Sequence, residues 1–291
     1  MAVWQIGIDI HAMGFYAVAL CYQRYGWQMR GWYQWRSAPA ESKTSAVASG
    51  MLLSPPVLEA LRVWRRQLPE RVSFRVALPA DAVLQQTLPL PETVDTPAAR
   101  QWLIEDAVTR LFPLSAKELA VDYRVVSRPS EDNAASAHAV VSAARRSEMA
   151  SFLSALSQVG IVPDAVEAAP CVLRSMAMLA GVNRDSLLLH RGNGRLMWVS
   201  PLSDAFRYQQ LQDDPDTPTS ALWQAQEAYR RLSGCTERGM LLSGEVEASA
   251  PLSDAALWSP LVAVHQAHPP LPLEPHRFVL ACGLAMREDD R

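Results

Sequence analysis

Residues 4 to 14 read WQIGIDIHAMG and place Gly7 and Asp9 at the end of an apolar run. A turn of small residues can point backbone N–H groups at phosphate oxygens, and a nearby carboxylate can organise the metal that accompanies them. The residues that follow, His11, Ala12 and Met13, add side-chain bulk where such a loop needs room, and Gly14 alone makes no cradle. A second turn, RGNG, carries Gly192 and Gly194 directly after His190 and Arg191. Arg191 could hold an anion and His190 could act as a general base. Asn-Gly is equally the commonest two-residue hairpin turn, and a lone His at a strand end is equally a turn or core residue. A third small-residue step, Ser243 and Gly244, leads into Glu245, whose carboxylate would repel phosphate.

The remaining chemistry-bearing residues form no set. Glu105 and Asp106 are neighbours on an expected helix, so they point about 100° apart and cannot share one substrate. His265 and His268 lack the matching Cys pair that zinc spacing requires. Cys21, Cys171, Cys235 and Cys282 form no CxxC pair, and no basic segment with a small-residue cleavage site opens the chain; reduced, buried thiols are expected. The doublets Arg65–Arg66 and Arg145–Arg146 could meet lipid or DNA but read as solvated surface. On these grounds no catalytic residue and no metal site is expected.

Positioning these residues falls to an α/β chain. Its 291 residues are 49% apolar and 20% charged, enough for two lobes. A net charge of -3 and pI near 6.1 disfavour nucleic acid as a direct partner. No apolar run approaches the roughly 20 residues of a spanning helix, so any membrane association is expected to come through a partner. Strands are expected over 3–10 and 15–22, joined by a short turn, then over 27–35. A surface loop over 37–50 and a helix over 55–69 follow. VSFRVALP (72–79) alternates as a half-buried strand with Phe74, Val76 and Leu78 inward and Arg75 outward. A short strand at LQQTLPLP precedes a helix that starts at the cap Thr96 and stops at Pro113. Strands at 119–128 and 137–144, a turn at PSEDNAAS, and a helix ending near Gly160 come next. Residues 165–179 are expected as one helix, and SLLLHRGNGRLMWVSPL as a hairpin. The helix over 220–234 faces Leu222, Ala225, Tyr229 and Leu232 inward and is followed by a buried strand at 239–245. Residues 251–275 read as irregular, and the chain closes on a buried helix.

The order of these segments resembles the PilM-like proteins of type IV pilus assembly, relatives of FtsA with an actin-like ATPase (RNase H-like) fold, and within them the branch tied to DNA uptake and utilisation. Five passages carry the resemblance: GIDI beside YAVAL; ALPADAVLQQTLPLP leading to RLFPLSAKELAVDYRVV; VVSAARRSEMASFLSALSQVGIVPDAVEAAPCVLRSM; GMLLSGE; and FVLACGLAMRE. It implies a first actin-like lobe over 1–180 with an inserted subdomain at about 80–160, and a second lobe over 181–291. It also implies nucleotide contacts at Gly7, Asp9, Gly192, Gly194, Ser243 and Gly244. The family's Asp-x-Gly step is here His190, Arg191 and Gly192, and its second adenosine-side Gly is Glu245, so the site is expected to be vestigial, without bound ATP or Mg and without hydrolysis. The implied function is a cytoplasmic scaffold, peripheral to the inner membrane, that binds the N-terminal tail of a PilN- or HofN-type membrane protein. The implied groove lies between the first lobe and the subdomain, with Leu84, Leu88, Trp102 and Leu111 as candidate walls. Self-association stays open. The alternative is a working actin-like ATPase that regulates pilus or type II secretion platform assembly.

Overall fold

The structure is a computed structural model and describes residues 3–37, 51–91, 96–128, 136–213, 218–234, 236–246 and 255–288. The expected loop over 37–50 and turn over 129–136 fall almost wholly outside the described residues. In chain order the elements are β1 (Trp4–His11), β2 (Gly14–Gln23), β3 (Gly26–Arg36), α1 (Pro55–Arg65), β4 (Val72–Leu78), β5 (Val83–Pro89), α2 (Pro97–Leu111), β6 (Leu119–Arg128), β7 (Ser136–Arg145), α3 (Arg146–Gln158), β8 (Pro163–Ala168), α4 (Ala169–Leu179), β9 (Leu187–Gly192), β10 (Arg195–Val199), β11 (Tyr208–Gln212), α5 (Pro218–Ser233), β12 (Met240–Gly244), β13 (Ala255–Leu257) and α6 (Val279–Ala285).

Two compact units emerge, one formed by Met1–Ala80 with Ala155–Arg291 and the other by Asp81–Ser154. The first unit holds two five-stranded sheets, ordered β3-β2-β1-β4-β8 and β11-β10-β9-β12-β13. Each begins with an antiparallel meander of three strands and continues with two parallel strands, so the same topology occurs twice. Each sheet defines a lobe. The β9–β10 hairpin turns on Asn193 and Gly194, both with positive φ (54° and 68°), the requirement of a type I′ turn.

The lobes share one hydrophobic core. Val172, Leu173, Met176 and Ala177 of α4 and Leu280 and Leu284 of α6 are buried with Val18 and Leu20 of the first sheet and with Leu188, Met197 and Val199 of the second. Although it lies at the end of the chain, beyond the expected lobe boundary at 180, α6 packs on β1, β2 and β4 of the first sheet.

Several local expectations change. Residues 165–168 form the end of β8 rather than a helix, because pairing beside β4 outweighs the helix-forming Ala and Glu in this stretch. The strand β4 lies between β1 and β8 and is buried on both faces, so Arg75 is only 1% exposed rather than on a solvated side. Its Nη1 donates to Gln5 Oε1, to Ala285 O at 3.1 Å and to Arg287 O at 2.7 Å, which pins the end of α6 to the sheet. Leu232, expected inward on α5, faces solvent, whereas Leu222, Ala225 and Tyr229 are buried. The stretch over 251–275 contains the short strand β13.

The second unit has its own core. Its antiparallel sheet, ordered β5-β7-β6, packs Ala139, Val141 and Ala143 against Ile104 and Val108 of α2. That helix begins where Thr96 Oγ1 accepts the amide of Ala99 at 3.2 Å and where Pro97 occupies the first turn.

Candidate functional site

The polar groups singled out in the sequence meet where the two sheets of the first unit face each other. Asp9 and His11 lie two residues apart on β1 and so share one face. Across the β1–β2 hairpin Asp9 pairs with Tyr16. From the second lobe come His190 on β9, Ser243 at the end of β12, and Glu245 just after it.

Glu245 is the hub. Its Oε1 accepts the Tyr16 hydroxyl at 3.2 Å and lies 3.2 Å from Arg36 Nη2 and 3.6 Å from His11 Nε2. The Asn193 amide donates to its Oε2 at 3.3 Å. Burial raises its pKa, but His11, Arg36, the Asn193 amide and Tyr16 outweigh burial and hold it below the ordinary carboxylate value. The same burial, with Glu245 nearby, pushes the Tyr16 hydroxyl up to about 12. His11 makes no hydrogen bond through either ring nitrogen, and burial lowers its pKa.

A second acid–imidazole contact lies beside the first. His190 Nε2 is 4.0 Å from Asp9 Oδ2. Ser243 Oγ donates to Leu189 O at 3.0 Å; its one proton is thus committed, and it accepts from His190 Nδ1 at 2.9 Å. His190 therefore turns an unprotonated Nε2 toward Asp9. Burial brings His190 down to about 4, and burial together with Glu245 lifts Asp9 to about 7. The carboxyl thus competes for a proton that the imidazole does not hold.

The candidate glycines have structural duties. A Cβ on Gly7 would lie 2.0 Å from Ala281 O and 2.6 Å from Ala285 N, so Gly7 gives its open side to α6. A Cβ on Gly244, whose φ is +89°, would lie 2.0 Å from Arg191 O. Gly194 serves the hairpin turn with nothing within 4 Å, and Gly192 has only His190 Nε2 at 3.9 Å. The Arg191 side chain lies 2.7 Å from Asp213 Oδ2 in a buried ion pair. A triphosphate fits these residues poorly: two of the glycines that would admit it already accommodate the protein's own backbone, and Glu245 stands among the cationic and donor groups. Among the described residues no His, Cys, Asp and Glu cluster has the geometry of a metal site.

Similarity to known proteins bears on the same architecture. No protein-family model matches the chain. The solved PilM–PilN type IV pilus biogenesis complex contains a chain that superposes with a TM-score of 0.73 at 18% identity, covering 98% of both chains. The chain has the PilM-like, actin-type ATPase fold. The cytoplasmic domain of EpsL, an inner-membrane component of the type II secretion system of Vibrio cholerae, is more distant, with a TM-score of 0.53 at 13% identity over 98% of this chain and 96% of that one. By sequence the chain is 25% identical over 287 residues, 98% of its length and 97% of the relative's, to the DNA utilization protein HofM of Escherichia coli (strain K12). Among its described residues the chain has no helix long and apolar enough to cross a membrane.

The four groove candidates lie in the second unit. Leu88 and Leu111 pack against its core, while Leu84 is 40% and Trp102 69% exposed. Glu105 and Asp106 are exposed and engage Gln101 and Arg110 of their own helix. Arg65 and Arg146 donate to backbone carbonyls of Gly160 and Leu119. Tyr16, Arg36 and Asn193 were absent from the sequence reading of the cleft. Tyr16 was within reach, since a two-residue turn at Ala12–Met13 sets a register that places it opposite Asp9. Arg36 carries no such signal.

Proposed function

We propose that this PilM-like protein is a scaffold of a type IV pilus-like machine, serving pilus biogenesis or DNA uptake and utilisation. It binds the N-terminal cytoplasmic tail of a PilN- or HofN-type inner-membrane protein without help from nucleotide. The observation that carries this reading is the superposition, over 98% of both chains, on the chain of the PilM–PilN complex. The full-length similarity to a DNA utilization protein supports it. An extended tail suits such a surface, because strand edges supply backbone hydrogen bonds and apolar side chains supply pockets. Leu84 and Trp102 are among the exposed apolar positions of the second unit, with Val121 and Val125, and are the two that such a tail would cover. Hydrolysis needs metal, positioned water and charge stabilisation together, and a carboxylate already paired with Tyr16 and Arg36 in the cleft supports a role without it. The protein would then be cytoplasmic and held at the inner membrane by its partner.

Calorimetry of the full chain with a synthetic tail peptide tests this, with and without Mg-ATP. Equal affinity in both titrations is expected. Absence of heat at high peptide concentration, or binding only with Mg-ATP, would sink it. The second reading, an ATPase that regulates assembly, has in its favour Asp9, retained inside the cleft. A magnesium-dependent thermal shift with ATP that Asp9→Ala abolishes would establish that reading instead.

A further inference from the structure

Four groups from three strands and a turn converge on one carboxylate, and three of them come from the opposite lobe. Tyr16 (β2), Arg36 (β3) and His11 (β1) belong to the first sheet; Asn193 and Glu245 itself belong to the second. The backbone is built to aim Glu245. Gly244 adopts φ +89° against Arg191 O, and the Glu245 amide donates to that same carbonyl at 2.7 Å. The neighbouring acid–imidazole contact runs the other way, with Asp9 from the first lobe facing His190 from the second. Each lobe thus contributes one acid and one imidazole. Away from this mouth the lobes are joined by the apolar layer of α4 and α6, whose packing is non-directional. Charge-assisted hydrogen bonds are directional and about twice as strong as neutral ones.

We propose that Glu245 is an internal clasp: seated among Arg36, Tyr16, His11 and the Asn193 amide, its carboxylate holds the two lobes closed in place of any bound ligand. A groove can then keep its shape with no nucleotide present. The clasp is independent of what the protein binds, since lobe closure and peptide affinity are separate measurements.

The test reads the lobe separation in the full chain. Spin labels are placed at Val63→Cys on α1 and Leu232→Cys on α5, both exposed and one on each lobe, with Cys171→Ser and Cys235→Ser; Cys21 and Cys282 are buried. Pulsed electron–electron resonance is then compared between the parent chain, Glu245→Gln and Arg36→Gln. The parent should give one narrow distance. Glu245→Gln should give a longer or broader distribution, and adding Arg36→Gln should change it little further, because both substitutions break one contact. Amide exchange at Asn193 should also accelerate about tenfold, the loss expected for one hydrogen bond to a charged group. Faster exchange with an unchanged distance in folded Glu245→Gln would make the contact merely local and overturn the clasp. Should Glu245→Gln not fold, Arg36→Gln at its half-exposed position decides: a parent-like distance there overturns the proposal.

Discussion

Asp9 and Glu245 share one cleft yet are driven to opposite protonation. Glu245 has a guanidinium, a hydroxyl, an imidazole and an amide around it, so ionisation is favoured; Asp9 is buried beside a second carboxylate, so ionisation is opposed. The Asp9 carboxyl, raised to about 7, binds a proton in the folded chain that the unfolded chain releases above about pH 4. The folded state is therefore penalised progressively between about pH 4 and pH 7, and fully above that window. Asp9→Asn should raise the unfolding temperature at pH 8, by on the order of 1–3 kcal/mol of stability, and change it little at pH 4. Scanning calorimetry at the two pH values checks this; an equal gain at both would show that Asp9 is ionised in the fold. His190 acts in the other direction. Its pKa falls to about 4, so the folded state loses stability as pH drops from about 6.5 toward 4, and His190→Gln should flatten that limb of the stability–pH curve.

At the scale of elements, a glycine, a threonine and an arginine explain how the strands and helices are set. Gly7 lets α6 lie directly on β1. Gly7→Ala would drive a methyl to 2.0 Å from Ala281 O, so α6 must shift. A cost of about 1–3 kcal/mol is expected, seen as a lower urea midpoint. If Gly7 served only a ligand, the midpoint would not move. In the second unit, Thr96→Ala removes the acceptor for the Ala99 amide. About 1 kcal/mol should be lost locally, and exchange of the first-turn amides of α2 should speed about fivefold. Arg75 joins β4 to the carbonyls at the end of α6, a link that a strand pattern alone does not reveal.

For the whole molecule, the consequential prediction concerns Trp102. It is the most exposed large apolar side chain on α2, and it lies outside the core cluster of its unit. Trp102→Ala should leave the unfolding temperature within a degree or so while weakening tail-peptide binding at least about tenfold, as aromatic hot spots do. Unchanged affinity in the same titration would move the groove elsewhere on the protein. The same face carries Glu105 and Asp106, which engage Gln101 and Arg110 of their own helix, so the Trp102 ring stands among charged side chains.

Apolar period, proline and the Asn-Gly turn act locally, so most strands and helices, β1 through α2 and the hairpin at Asn193 among them, were legible in the sequence. It also placed His190, Arg191 and Glu245 at the positions where the resemblance leads one to expect phosphate-loop residues. Only the tertiary structure decided what these residues do, since each meets partners far away in the chain: Gly7 with Ala281, Tyr16 and Arg36 with Glu245, Arg191 with Asp213. The failures have the same origin. Residues 165–168 became a strand because β4 was available to pair with, and Arg75 was buried because β1 and β8 closed over it. Local pattern specifies elements, whereas burial and charge pairing depend on which elements meet.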